Sequence, residues 1–152
     1  MTEISFYHLQ KSHLEKILPL LLEKTMKLEK RAIVMVGSST YAEQLNTLLW
    51  NYQKGAWLPH GTKEDGHAEH QPIWLTSVDE NPNEATYLFL SDGAYTSNIG
   101  DFERCFELFD GNNPAQLNRA RRLWQTYKNS GHDLKYLKQN EHGEWIEKTT
   151  AS

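Results

Sequence analysis

Two short apolar runs without polar alternation constrain the fold most strongly. They are RAIVMVG at residues 31–37 and TYLFL at residues 86–90. A strand with one face in water alternates apolar and polar residues, whereas a strand covered on both faces is apolar throughout. Strands of the second kind are typical of parallel sheets flanked by helices. The two runs therefore predict a central, mainly parallel sheet with helices on both faces.

The first half of the chain supports this α/β prediction. Residues 3–9 read as a strand, and residues 11–29 carry leucines at helical spacing, with Pro19 as a kink or irregularity. After the first apolar run, SSTYAEQLNTLLWNY predicts a second helix, capped by Ser39 or Thr40. Strand, helix, strand and helix in this order begin an α/β sheet.

The second half predicts further strands and one long helix. Short strands are expected at 56–60, 72–77 and 86–90, and then a short helix and a strand through Phe106–Phe109. Asn113 and Pro114 begin the long helix, and Gly131 stops it. The alternating residues 133–139 predict an edge strand. We expect a single domain over 1–140 and a flexible tail over 141–152.

Composition excludes several classes of function. A chain of 152 residues fits one domain with a real core. The net charge of −4 argues against a broad cationic track, so we expect only indirect contact with nucleic acid. The single cysteine, Cys105, permits no internal disulfide and suits the cytoplasm. We expect no signal peptide, because MTEISFYHLQ has no basic region followed by an apolar run, and no membrane span, because the longest apolar run, ILPLLL, is short.

A histidine-rich stretch, residues 56–76, raises the question of a metal site. It contains His60, His67 and His70 with acidic residues between them. Three histidines can hold zinc, so a small metal-dependent hydrolase is one hypothesis. The spacing matches no helical ligand pair, however, and Gly61 and Gly66 interrupt the segment. We interpret the stretch as an exposed loop whose histidines bind no metal.

Other catalytic patterns are missing from the sequence. Residues 37–40, GSST, lie between a strand and a helix, where phosphate-binding loops occur, but GxGxxG and GK[ST] are both absent. A capping turn explains the segment. Cys105 lies in apolar company, FERCFELF, which is typical of a buried inert thiol. We therefore expect no active site and no cofactor.

The long final helix is the most informative segment. Its apolar stripe contains five residues: Leu117, Ala120, Leu123, Trp124 and Tyr127. Arg121, Gln125 and Lys128 form a neighbouring polar stripe, and Arg119 and Arg122 add a second basic pair. This pattern fits either a solvated basic face or a binding surface for an acidic peptide with an apolar end.

Several segments in combination resemble a known family. They are FYHL, VMVGSSTYAEQLNTLLW, WLPHG followed by QPIWLT, and RARRLWQTYKNSGHDLKYL. In this order, from about residue 3 to 140, the sequence resembles the chi subunit of bacterial DNA polymerase III. The form with a GTKEDGHAEHQPI loop looks alphaproteobacterial.

The resemblance implies a Rossmann-like three-layer α/β fold without nucleotide or catalysis. It implies an accessory subunit of the holoenzyme's clamp-loader assembly, which binds the acidic C-terminal tail of the single-stranded-DNA-binding protein and pairs with the psi subunit. The matching tail-binding positions are Arg121, Trp124, Gln125, Lys128 and Tyr136, and the psi-facing positions are Trp50, Trp57 and Pro59.

Two positions depart from the family pattern. Leu117 and Gln125 stand where the resemblance leads us to expect lysines. Arg119, Arg122 and Lys128 are the cations expected to compensate for them.

Overall fold

The structure, a computed structural model, describes residues 2–10, 13–51 and 59–148. The strands are β1 (Glu3–Leu9), β2 (Ala32–Met35), β3 (His60–Gly61), β4 (Ile73–Thr76), β5 (Tyr87–Leu90), β6 (Arg104–Asp110), β7 (Asp133–Gln139) and β8 (Trp145–Lys148). The α-helices are α1 (Leu14–Lys27), α2 (Ser39–Asn51) and α3 (Pro114–Asn129). Two single 3-10 turns occupy Ala68–His70 and Ile99–Asp101.

One sheet contains all of these strands, in the order β3-β4-β2-β5-β6-β1-β7-β8. Every neighbouring pair is parallel except β7 and β8. The two apolar runs that predicted this arrangement became β2 and β5, which pair with each other and are buried along their whole length. The prediction of a mainly parallel sheet is confirmed.

Helices cover both faces of the sheet. On one face, Leu18 of α1 and Leu45 of α2 pack with Phe89 and Phe106, whose rings stack at 4.5 Å. On the other face, Ala120 and Tyr127 of α3 pack with residues of β1 and β7. The three-layer α/β prediction is therefore confirmed. No helix in the described ranges is both long and apolar enough to cross a membrane.

The ends of α3 follow the sequence signals. The Asn113 side-chain oxygen accepts hydrogen bonds from the backbone N–H groups of Ala115 and Gln116, at 3.0 and 3.2 Å. Pro114 occupies the first turn, where its missing N–H costs nothing. Beyond the helix, Gly131 adopts a positive φ of 84°, a conformation that favours glycine. The predicted start and stop of this helix are confirmed.

The carboxyl-terminal region differs from the prediction. Strand β7 is not an edge strand, because β8 pairs with it in antiparallel orientation. The Asn140 side-chain oxygen accepts from the backbone N–H groups of His142 and Glu144, and Gly143 completes the turn at φ 81°. This turn brings Trp145–Lys148 back along β7, so at least this part of the predicted flexible tail was wrong. Where a strand was predicted at 56–60, the structure has only the short strand β3, which begins at His60. Residues 56–58 lie outside the described ranges.

The packing of β8 allows a direct test. The Trp145 ring packs edge-on against Tyr7, with centroids 5.0 Å apart, and contacts the core on the α1 side. We expect Trp145→Ala to lower the free energy of unfolding by about 1–3 kcal/mol, because a half-buried aromatic loses its contacts. Ile146→Ala, in the same strand with 40% exposure, is the control and should cost less than about 0.5 kcal/mol. Urea unfolding of both variants checks this, and equal small losses would contradict the packing of β8.

Candidate functional site

Trp124 is the centre of the candidate surface on α3 and β7. It is half-buried, and its ring meets Phe6 and Tyr136 edge-on, with centroid distances of 5.3 and 5.8 Å. Phe6 and Tyr136 are register partners in the pairing of β1 with β7, so both rings point to the α3 side of the sheet. The position of Trp124 is therefore determined by two fully buried aromatic rings below it.

Tyr136 lies deeper than the family resemblance suggested. Its side chain is completely buried, so it supports Trp124 from behind and offers no exposed surface to a tail. Its hydroxyl shares a 2.6 Å hydrogen bond with Nδ1 of His8. Burial raises the pKa of Tyr136 to about 12, although the nearby Arg121 opposes this shift. The hydroxyl therefore stays protonated at neutral pH.

His8 is a buried histidine close to two cations. A Cβ atom on Gly111 would fall 1.8 Å from its Nε2, so only glycine fits there. Burial, and after it the positive charges of Lys138 and Arg121, lower the pKa of His8 to about 4, against the opposing charge of Asp110. The imidazole is therefore neutral at pH 7, and Lys138 and Arg121 both lie near it.

Lys138 is a cation that the sequence reasoning missed. It is the register partner of His8, and it follows Tyr136 by two residues along β7. Successive side chains of a strand point to opposite faces, so Lys138 lies on the same face as Tyr136 and helix α3. The sequence contained a signal for this position: in DLKYLKQ, Lys138 follows Tyr136 by two residues, so in a strand both side chains lie on the same face.

The predicted polar stripe of α3 is exposed along its length. Arg121, Gln125 and Lys128 all face solvent, and the Gln125 amide donates to Asn129 at 3.0 Å. A helix rises about 1.5 Å per residue, so Lys128 lies roughly 10 Å along the axis from Arg121. Arg121 thus lies one helical turn from Trp124, and Arg121 and Lys138 are both close enough to His8 to lower its pKa, whereas Lys128 lies further along the helix.

Arg119 does not belong to this exposed surface. One of its terminal nitrogens is 3.0 Å from the carboxylate of Glu107, and the other donates to the carbonyl of Ala94 at 2.7 Å. Glu107 is only 1% exposed, so Arg119 neutralises a buried carboxylate. Arg119 is therefore already occupied, and of the proposed compensating cations only Arg122 and Lys128 are exposed.

Comparison with known proteins identifies the family. Residues 1–135 match the family model described as DNA polymerase III chi subunit, HolC. The chain belongs to the chi subunit family. A relative named "Probable DNA polymerase III subunit chi", from Rickettsia prowazekii (strain Madrid E), is 31% identical over 90 residues. The match spans 59% of this chain and 54%, about half, of the relative's length. The predicted family is thus confirmed, and its members are accessory subunits.

The three histidines of the 56–76 stretch in this chi-family protein do not form a common site. His60 is buried, with its ring centroid 4.3 Å from that of Trp50, whereas His67 and His70 are exposed. Nε2 of His70 lies 3.6 Å from the carboxylate of its neighbour Glu69. In the described ranges, no group of three or more histidine, cysteine or acidic side chains is arranged to hold a metal.

Two of the psi-facing positions that the resemblance implies, Trp50 and Pro59, lie at the end of α2 and before β3, not on α3 or β7. Trp50, in the last turn of α2, is 52% exposed and packs beside His60. Pro59 is half-buried just before β3. Trp57 lies outside the described ranges.

The different burial of two histidines predicts different costs of substitution. We expect His60→Ala to lower the free energy of unfolding by about 1–3 kcal/mol, because a buried side chain is removed. The exposed His70→Ala should change it by less than about 0.5 kcal/mol. Urea unfolding, measured both with and without EDTA, gives both values. A large loss in His70→Ala alone would show that the exposed histidine has a structural or metal-binding role.

His8 should make stability depend on pH. Its folded pKa of about 4 is below its ordinary value of 6.5, so the unfolded chain binds more protons between these values. The stabilising contribution is complete above pH 6.5 and is lost as the pH falls towards 4. The loss should reach roughly 1–3 kcal/mol.

The variant His8→Asn removes this titration. Between pH 7 and pH 4.5 its free energy of unfolding should therefore fall by about 1–3 kcal/mol less than that of the wild type. His70→Asn, at an exposed position, should keep the wild-type dependence. Urea titrations at the two pH values provide the measurement. An unchanged fall in His8→Asn would contradict a neutral, buried His8.

Proposed function

We propose that this protein is a non-catalytic accessory subunit of the DNA polymerase III clamp-loader assembly that binds the acidic C-terminal tail of the single-stranded-DNA-binding protein. Membership of the chi family supports the accessory role. The observation that carries the tail-binding proposal is the convergence of Arg121 and Lys138 beside the half-buried Trp124.

The charges of this surface suit an acidic peptide end. The chain as a whole has a net charge of −4, so the cations on α3 and β7 are a local departure from the average. A guanidinium binds a carboxylate through two parallel hydrogen bonds, whereas an ammonium acts as a point charge. Arg121 and Lys138 would therefore hold the terminal carboxylate, and Lys128 would meet an acidic side chain further along the tail.

The spacing agrees with this assignment. Arg121 and Lys128 are roughly 10 Å apart along the helix axis. An extended peptide spans about 3.3 Å per residue, so three residues cover this distance. Gln125, between the two cations, has an amide that could donate to the backbone of the tail.

The apolar part of the tail would lie against Trp124. A half-buried indole held from below by Phe6 and Tyr136 offers a rigid apolar contact without a large loss of side-chain entropy. Tyr136 itself would act through Trp124, because its side chain is not exposed. A short contact of this kind should have a Kd on the order of micromolar, or about −8 kcal/mol.

A second surface would receive the psi subunit or its equivalent. Trp50 and Pro59, with Trp57, are the positions that the family resemblance assigns to it. The exposed Trp50 supports this role, because large exposed aromatics are typical of protein contacts. Trp50 lies on α2, which covers the opposite sheet face from α3. Both partners could therefore bind at once, as an adaptor requires.

Tail binding can be tested with a fluorescent peptide that carries acidic residues and ends in Pro-Phe. We expect Arg121→Ala to weaken its binding about ten- to a hundredfold, because a charged hydrogen bond is lost. Lys138→Ala should weaken it about three- to tenfold. Affinity should also fall as salt rises, because exposed charge contacts are screened.

Arg122→Ala is the matched control. It removes a guanidinium from the next position of the same helix, which is also exposed, and should leave the Kd within about twofold. Fluorescence anisotropy measures all four proteins. No binding to the wild type would refute the tail-binding role. Equal binding to wild type and Arg121→Ala would place the tail on another surface.

A further inference from the structure

Strand β8 brings two further residues to the side of the sheet that α3 covers. In its antiparallel pairing with β7, Ile146 is the partner of Lys138, and Lys148 is the partner of Tyr136. Directly opposite residues of an antiparallel pair share one face of the sheet, with Cβ atoms about 4.5–5.5 Å apart. Tyr136 lies on the α3 side, so Lys138, Ile146 and Lys148 lie on that side as well.

The packing of Trp145 supports this orientation independently. Its ring contacts Tyr7 and the core on the α1 side. Successive side chains of a strand point to opposite faces, so Ile146 points to the α3 side and Glu147 points away from it. The α3 side of β8 therefore carries an aliphatic and a cationic side chain, and the carboxylate of this strand lies on the other side.

This part of the sheet is open to solvent beside the helix. Ile146 is 40% exposed, and Lys148 is exposed as well, whereas Tyr136 is buried under Trp124. Helix α3 thus covers β7 at Tyr136 and leaves β8 uncovered. An open strip follows the helix, with the polar stripe of α3 and Trp124 on one side and β8 on the other. We call this strip the α3–β8 groove.

One end of the groove combines two cations with an apolar side chain. Lys138 and Arg121 are both close enough to His8 to lower its pKa. Ile146 is the direct neighbour of Lys138 across the strand pair. An exposed aliphatic side chain next to two cations suits a peptide end that carries a carboxylate and an apolar side chain together.

The groove continues with a cation on the strand side. Lys148 lies opposite Tyr136, whose ring contacts Trp124, so it is further from the Arg121 end than Ile146 is. On the helix side the same stretch carries Gln125, which has no charge. Lys148 therefore supplies a positive charge across the groove from a neutral position of the helix.

We propose that β8 forms the second side of the tail site, with Ile146 against the apolar end of the acidic peptide and Lys148 against one of its acidic side chains. This inference rests on the proposed tail binding. Strand β8 lies beyond residues 1–135, which match the family model, so its two residues extend the site past the matched segment. They determine which peptide ends fit, because Trp124 alone covers only one side of an apolar side chain.

The role of Ile146 can be tested with two fluorescent acidic peptides, one ending in Pro-Phe and one ending in Pro-Ala. Ile146→Ala should weaken binding of the Pro-Phe peptide about three- to tenfold, because apolar contact area is lost, and binding of the Pro-Ala peptide less than about twofold. Leu20→Ala removes a similarly exposed aliphatic side chain from α1 and should leave both Kd values within about twofold. A merely structural role of Ile146 would weaken both peptides equally.

The role of Lys148 can be tested through the salt dependence of binding. Lys148→Gln should weaken the Pro-Phe peptide about two- to fivefold at low salt. The difference from the wild type should shrink as salt rises, because exposed charges are screened. Lys135→Gln is the matched control: Lys135 is exposed on β7, one residue before Tyr136 and therefore on the opposite face. It should bind like the wild type.

Arg121→Ala, measured in the same anisotropy series, separates this inference from the proposed function. If Arg121→Ala weakens binding while Ile146→Ala and Lys148→Gln bind like the wild type, the tail-binding role stands and the contribution of β8 is overturned. Equal weakening of both peptides by Ile146→Ala would also overturn it. Absence of binding to the wild type would overturn the tail-binding role and the inference together.

Discussion

The parallel pairing of β1 between β6 and β7 is the constraint on which the other features depend. Seven residues of β1 align with β6, and six align with β7. These pairings join segments 101 and 130 residues apart in the chain, and the second places Phe6 beside Tyr136 and His8 beside Lys138. Without it, Trp124 would lose the support of the Phe6 and Tyr136 rings.

The same pairing separates two regions of opposite charge. Cations gather on the outer side of α3 and at the end of β7, whereas carboxylates gather where β1, β5 and β6 end. Arg119 lies between them and is held inward by Glu107. A net charge of −4 for the whole chain hides this separation.

Sequence patterns predicted the central strands and the final helix better than the short strand at the edge of the sheet. The apolar runs at 31–37 and 86–90 determined the parallel sheet, and Asn113, Pro114 and Gly131 determined the bounds of α3. Strand β8 was missed because its pairing depends on a turn built from the Asn140 side chain, while its own residues alternate only weakly. Such a short strand becomes stable only through its partner β7 and the contact of Trp145 with Tyr7.

The sequence by itself determined the α/β class, the long final helix and the family, because periodicity, capping residues and segment order are local properties of the chain. It also indicated Arg121 and Trp124 as surface candidates. Only the tertiary structure decided that Tyr136 lies beneath Trp124, that Lys138 joins Arg121, and that Arg119 turns inward to Glu107. The physical reason is that burial and charge pairing depend on residues from distant strands, whose register no local pattern specifies.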